Sequence, residues 1–233
     1  MSRALLLATL VALAAPLGAR ATTQYAFSET ELTYLADLVV EAEVEAVQVE
    51  REPGQQFLST VTTLRLTHVI KGDAIEGDRI LVRELGGVLG SERTDLAGAP
   101  VYVEGERVLV HLEMEEGSEA LWRTLGLSQG KRTLVREADT GRDVVLQVRN
   151  QRTTLRFDEA TVPLPAARIY ASDVVERIRD LVETGAVPTY TTIPGLPAWK
   201  DARFRADAAA DGQEIDPRFD ALRARIFESE VER

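Results

Sequence analysis

The sequence predicts a mainly β protein: an antiparallel OB-like barrel or sandwich with an extra hairpin and C-terminal helices. Three observations predict it. Between residues 38 and 148, apolar residues recur with a period of two, as in strands with one face toward a core. Those short and medium strands follow one another with few helical stretches between them, punctuated by Gly, Pro and Asp. Near Tyr170 the period changes to that of an amphipathic helix.

The first element is an export signal. Met1-Ser2-Arg3 precedes an apolar run from Ala4 to Leu17, and Ala19 and Ala21 flank an A-x-A cleavage site. The run is too short for a membrane span, which needs about 20 residues. Residues 1–21 therefore read as a signal peptide, and the mature chain begins at Thr22. The expected location is the periplasm or the extracellular space. No lipid anchor is expected, because no cysteine follows the cleavage site.

Ser28-Glu29-Thr30-Glu31 is a capping box, so a short helix is expected there, ending near Asp37. Leu38 to Val49 alternates as a long strand. Pro53-Gly54 is a turn, and Phe57 to Ile70 is a second strand closed by Lys71-Gly72-Asp73. Arg79 to Leu85 is a third strand, followed by a flexible loop from Gly86 to Gly90. Pro100 to Val103, Arg107 to Glu113, Leu121 to Leu125 and Lys131 to Glu137 are further strands. Asp139-Thr140-Gly141-Arg142 then turns the chain into Val144 to Val148.

Val174, Val175, Ile178, Leu181 and Val182 form a helical stripe, capped by Ser172 or Asp173 and stopped by Gly185. Asp216-Pro217 opens a last helix carrying Phe219, Leu222 and Ile226. The organisation expected is a signal over 1–21, a barrel over 22–160, and a helical extension over 161–233 that packs on the barrel. The end of that extension is expected to be loosely held.

The chain holds 38 acidic and 27 basic residues. Removing Arg3 and Arg20 with the signal leaves 25 − 38 = −13. Such a surface repels phosphates, so nucleic acid is excluded as the expected partner. There is no cysteine, which removes thiolate zinc sites and disulfides. Many arginines, three lysines (Lys71, Lys131, Lys200) and a single asparagine, Asn150, fit a GC-rich bacterial genome.

Several patterns imitate active sites. Gly126-Leu127-Ser128-Gln129-Gly130 matches the G-x-S-x-G elbow. A strand follows it here instead of a helix, and both histidines, His68 and His111, precede Ser128. It reads as a glycine-rich turn. The order His68, Asp95, Ser128 matches one serine-protease order, but a triad is defined by geometry. The two histidines lie in apolar strand segments and read as core or half-buried residues rather than metal ligands. Glu113, Glu115, Glu116 and Glu119 in the acidic loop 113–119 read as a solvated loop, with calcium as the alternative occupant. Asp207-x-x-x-Asp211-Gly212 lacks the remaining EF-hand ligands, and Gly86-Gly87-x-x-Gly90 is neither a dinucleotide fingerprint nor a P-loop. The expectation is no catalytic, cofactor or metal residue.

Ala36-Asp37-Leu38-Val39-Val40-Glu41-Ala42-Glu43-Val44 resembles the opening strand of netrin-like domains, the OB-type barrels that include tissue inhibitors of metalloproteinases and secreted bacterial relatives. Leu66-Thr67-His68-Val69-Ile70-Lys71-Gly72 is similar to their next strand and turn, and Gly105-Glu106-Arg107-Val108-Leu109-Val110 to a following one. The resemblance spans about Ala36 to Glu113. It implies a five-stranded OB-like barrel with extra strands and helices added after it. The partner expected, from the OB-like pattern and the missing catalytic constellation, is a protein or envelope component, a secreted protease among the options. The inhibitors grip zinc through an N-terminal cysteine, which this chain does not have.

The function expected is that of an exported, non-catalytic binding or envelope-associated protein. Its candidate contacts are the Gly86–Gly90 loop and the segment around Trp199. The alternatives are a secreted serine hydrolase using Ser128 and a calcium-stabilised envelope protein.

Overall fold

The computed structural model describes residues 26–51, 54–115, 117–118, 120–146 and 168–186. The expected signal, the last helix from Asp216, the EF-hand-like fragment and Trp199 lie outside the described residues.

A short helix, α1 (Glu29–Leu35), leads into the barrel. Its capping box is complete: the Ser28 hydroxyl accepts from the Glu31 amide, and the Glu31 carboxylate accepts from the Ser28 amide at 2.6 Å. The other end of α1 is held by Lys71, whose Nζ donates to the carbonyls of Thr33, Tyr34 and Ala36 at 2.6, 3.0 and 2.6 Å. Gly72 must be glycine. Its φ is +100°, and a Cβ there would lie 2.5 Å from the Asp37 carbonyl.

Five strands make the ring: β1 (Leu38–Glu50), β2 (Ser59–Lys71), β3 (Arg79–Leu85), β6 (Arg107–Met114) and β7 (Leu121–Thr124). They are hydrogen-bonded in the order β1-β2-β3-β7-β6, and β6 returns to β1 from Leu38↔Leu112 to Glu43↔Arg107. The ring is thus nearly closed, in the OB-like arrangement the sequence predicts. One pairing departs from the antiparallel expectation. β3 and β7 run parallel over Leu81↔Leu121 and Val82↔Trp122. The chain crosses the barrel end between β3 and β6, so the last strand of the ring enters alongside β3 in the same direction.

Beyond β7 the chain makes a 3₁₀ turn (Leu127–Gly130) and continues as β8 (Lys131–Arg136), still along the same edge of β6. β7 and β8 are thus two halves of an interrupted strand. The first half closes the barrel; the second leaves it and pairs with β9 (Asp143–Leu146). Gly130 permits the break, since a Cβ there would lie 2.2 Å from the Leu125 carbonyl.

Two predicted elements come out differently. Gly86–Gly90 is part of a small hairpin, β4 (Gly87–Leu89) paired with β5 (Glu92–Thr94), rather than an open loop. Pro100 to Val103 is no strand: both edges of the ring are already paired, and the segment instead inserts Tyr102 and Val103 into the barrel end.

The late helix α2 (Ala171–Thr184) begins earlier than expected, at the N-cap Tyr170, and Asp173 lies in its first turn where the helix dipole favours it. It ends at Gly185 with φ +61°, as predicted.

The strands bury both faces. Leu38, Val40, Leu64, Leu66, Val82, Val108, Val110 and Leu112 fill the barrel. Val39, Leu109, Leu134 and Val145 pack outside it, under Leu32 and Leu35 of α1 and Val174 and Ile178 of α2. No helix among the described residues is long and apolar enough to cross a membrane.

Candidate functional site

Ser128 sits on the 3₁₀ turn between two strands, and its amide donates to the Gly98 carbonyl at 2.9 Å. That is a strand–turn–strand setting rather than the strand–turn–helix of a nucleophile elbow. The left-handed backbone falls on Leu127, φ 56°, not on the serine. Neither histidine is joined to Ser128 by a hydrogen bond. The His68 ring is bonded at both nitrogens, to Glu76 (Nδ1, 2.7 Å) and to the Arg179 guanidinium (Nε2). Asp95 pairs with Arg93 at 2.7 Å.

His111 is fully buried, and both ring nitrogens are without a hydrogen bond. The Glu29 carboxylate lies 3.5 Å from Nε2 but is committed to Arg132 by two bonds, of 3.1 and 2.6 Å. Burial drives the His111 pKa down from 6.5 to about 3; Arg132 adds to this and the Gly130 backbone opposes it. The ring is therefore neutral.

In the acidic loop, Glu115 pairs with Arg83 at 2.7 Å, and the side chains of Glu116 and Glu119 lie outside the described residues. Among the described residues no three His, Asp or Glu side chains gather in a way that could hold a metal ion.

The barrel interior carries a polar network that sequence reasoning did not single out. Tyr102 Oη and Thr124 Oγ1 are 2.7 Å apart, and the Thr124 amide donates to Glu84 at 2.7 Å. Glu84 thereby continues across the β3–β7 seam where the backbone ladder stops. Burial pushes its pKa up to about 7. Nearby, Lys131 Nζ meets Glu106 Oε1 at 2.5 Å, the Thr133 hydroxyl donates to the same oxygen, and the Val103 amide donates to Oε2 at 3.2 Å. The Lys131 ammonium also stands 5.1 Å from the centre of the Tyr102 ring. Glu84, Glu106, Lys131 and Tyr102 are all buried, so this network ties the barrel together and offers no surface to a ligand. A signal for it existed: Ile80, Val82 and Glu84 share one face of a strand.

The accessible feature is the hairpin end. The hairpin is folded against the β1–β2 ribbon by four hydrogen-bonded ties. The Gly86 amide donates to the Leu58 carbonyl at 2.8 Å, and the Thr60 hydroxyl to the Gly86 carbonyl at 2.8 Å. The Leu58 amide donates to Thr94 Oγ1 at 3.1 Å, and Arg51 pairs with Glu92. Gly87 makes the close approach possible. Its φ is +136°, and a Cβ would meet the Val49 side chain at 2.7 Å. On this anchored platform Phe57, Leu85, Val88 and Leu89 stand 56, 41, 57 and 47% exposed. The pairs Arg51–Glu92 and Arg93–Asp95 lie beside them. Val88 and Leu89 are consecutive on β4 and so present apolar side chains on opposite faces of the hairpin, opposite Arg93 and Glu92 respectively.

No family model and no curated protein matches the chain.

Proposed function

We propose that this chain is an exported, non-catalytic binding protein that holds a partner protein against the hairpin end of its barrel. The observation that carries the reading is the exposure of Phe57, Leu85, Val88 and Leu89 on a hairpin tied down by Gly86, Thr60, Thr94 and Arg51. Exposed aliphatic side chains cost solubility unless something covers them, and a preformed platform loses little entropy when it is covered. The resemblance to netrin-like domains supports a protein partner, with a secreted protease as one class. The signal-like start supports export.

The test is retrieval of partners with the tagged full chain from periplasm and culture medium, alongside Val88→Asp/Leu89→Asp. A partner enriched over an unrelated exported control and weakened at least about tenfold by the double variant is the expected result. Equal retention by the two proteins, with matching circular-dichroism spectra, would sink the reading.

A further inference from the structure

β3 closes onto β7 over two residue pairs, Leu81↔Leu121 and Val82↔Trp122. β2 and β3 meet over seven pairs, and β1 and β6 over six. The β3–β7 seam is the shortest ladder of the ring.

Consecutive residues of β3 extend the seam from opposite faces. Arg83 points outside, where its guanidinium donates to Glu115 at 2.9 and 2.7 Å. The Glu115 amide in turn donates to the carbonyl of Leu121, the first residue of β7, at 2.9 Å. Glu84 points inside and accepts from the Thr124 amide at 2.7 Å. The short ladder thus has an outer latch and an inner one.

The inner latch sits among neutral groups. β2 places Thr60 opposite Glu84, and the segment before β6 brings Tyr102 near it. Arg123 of β7 and Glu113 of β6 act on the carboxylate with opposite signs. Among the described residues no cation is bonded to Glu84, so an ionised carboxylate there calls for water. Water would also reach the buried Thr62 hydroxyl, which has no hydrogen bond and belongs to the residue paired with Val82.

We propose that the β3–β7 seam is a gate in the barrel wall: it opens ahead of the rest of the fold when Glu84 ionises and takes up water, and the Arg83–Glu115 pair sets how often it opens. β3 stays with β2 and with the hairpin tied to the β1–β2 ribbon, so β7 is the strand that parts. The closed gate binds the Glu84 proton more tightly than the hydrated one. Opening therefore grows as pH rises from 4.5 to about 7 and levels off above that.

The test is amide hydrogen exchange of the full chain by NMR, corrected for its intrinsic pH dependence. The probe is Thr124, and the reference is Val40 and Ala42 in the β1–β6 ladder. Thr124 should exchange faster than the reference, with its opening rising by about two orders of magnitude between pH 4.5 and about 7. Glu84→Gln keeps an acceptor for the Thr124 amide but cannot ionise, so the rise should vanish. Arg83→Gln should speed exchange at Thr124 about fivefold at fixed pH and leave the reference unchanged, the scale of one ion pair near the surface. Thr124 exchanging in step with the reference would mean that the barrel opens only by unfolding as a whole, which overturns the gate. A wild-type pH course in Glu84→Gln, or no acceleration in Arg83→Gln, overturns it as well.

Discussion

On β6, Val108, Val110 and Leu112 face the barrel interior, while Leu109 and His111 face the layer under the helices. Both layers contain buried polar groups, but they treat them differently. Inside the barrel Tyr102, Thr124 and Glu84 are linked, and Lys131, Glu106 and Thr133 are linked. Under the helices His111 has no hydrogen-bonded partner, and the nearby charges of Glu29 and Arg132 satisfy each other. Burial then acts on opposite kinds of group: it favours the neutral form of an acid on one side by raising the Glu84 pKa to about 7, and of a base on the other by lowering the His111 pKa to about 3. Where segments cross at the barrel end, donors and acceptors are joined, although further along the interior face of β2 the buried Thr62 hydroxyl has no hydrogen-bond partner. A helix laid on a sheet presents mostly aliphatic side chains, and the ring trapped there keeps only the Gly130 backbone and the Glu29 carboxylate, 3.5 Å away, as polar neighbours.

The largest expected effect comes from breaking the linked side. Burial lowers the Lys131 pKa, and Glu106 opposes that. Lys131→Met leaves the Glu106 carboxylate buried with no cation and should cost about 3–5 kcal/mol in denaturant unfolding. Lys131→Met/Glu106→Leu removes both charges and should recover most of the loss. If the double variant is as unstable as the single one, the pair is not what couples these strands, and the contrast between the two layers weakens.

Next in size is the pH dependence, where the two layers pull in opposite directions. Glu84 is raised from 4.5 to about 7 in the fold. Between those values the folded chain holds a proton that the unfolded chain has released, so stability falls as pH rises. His111 is lowered from 6.5 to about 3. Between those values the unfolded chain holds the extra proton, so stability falls as pH drops. From 4.5 to 6.5 the two slopes cancel. Relative to wild type, Glu84→Gln should gain stability toward alkaline pH, by about 3 kcal/mol at pH 8. His111→Gln should instead gain it toward acid, once the pH is below 6.5. Thermal or chemical unfolding of the three proteins from pH 4 to 8 reads both effects. Parallel curves would mean that neither group is held neutral by burial.

Much of this fold was legible because it rests on local alternation. β1, β2, β3, β6 and the capping box follow from the spacing of apolar residues and from Ser28 with Glu31. The parallel seam, the hairpin and the Tyr102 plug depend on contacts between distant segments. Nothing near Glu84 announces that its acceptor will meet the amide of Thr124, forty residues later. The two histidines show the same limit. Both lie in apolar strand segments, yet the Thr67 bulge puts His68 in a charged cluster, while uninterrupted register leaves His111 buried. The candidate site was half legible: Gly86–Gly90 stood out as a glycine-rich loop, but its anchoring on Leu58, Thr60 and Arg51 follows only from the folded β1–β2 ribbon.

The smallest effect probes how tightly the helical layer seals His111. Glu31 is buried and takes the Ser28 amide, while the Ser28 hydroxyl takes the Glu31 amide. Ser28→Ala removes the hydroxyl and leaves one donor at the start of α1 unsatisfied, a loss of about 1 kcal/mol. The first turn of α1 carries Glu29, which holds Arg132 above His111. Fraying that turn admits water to the imidazole and reduces the burial that keeps it neutral. His111 should then titrate at higher pH by histidine NMR, while the barrel-side network around Glu84 stays as in wild type. Should the His111 titration stay in place while α1 frays, the ring is sealed by the strands and α2, and the neutral histidine belongs to the barrel wall rather than to the helical cover.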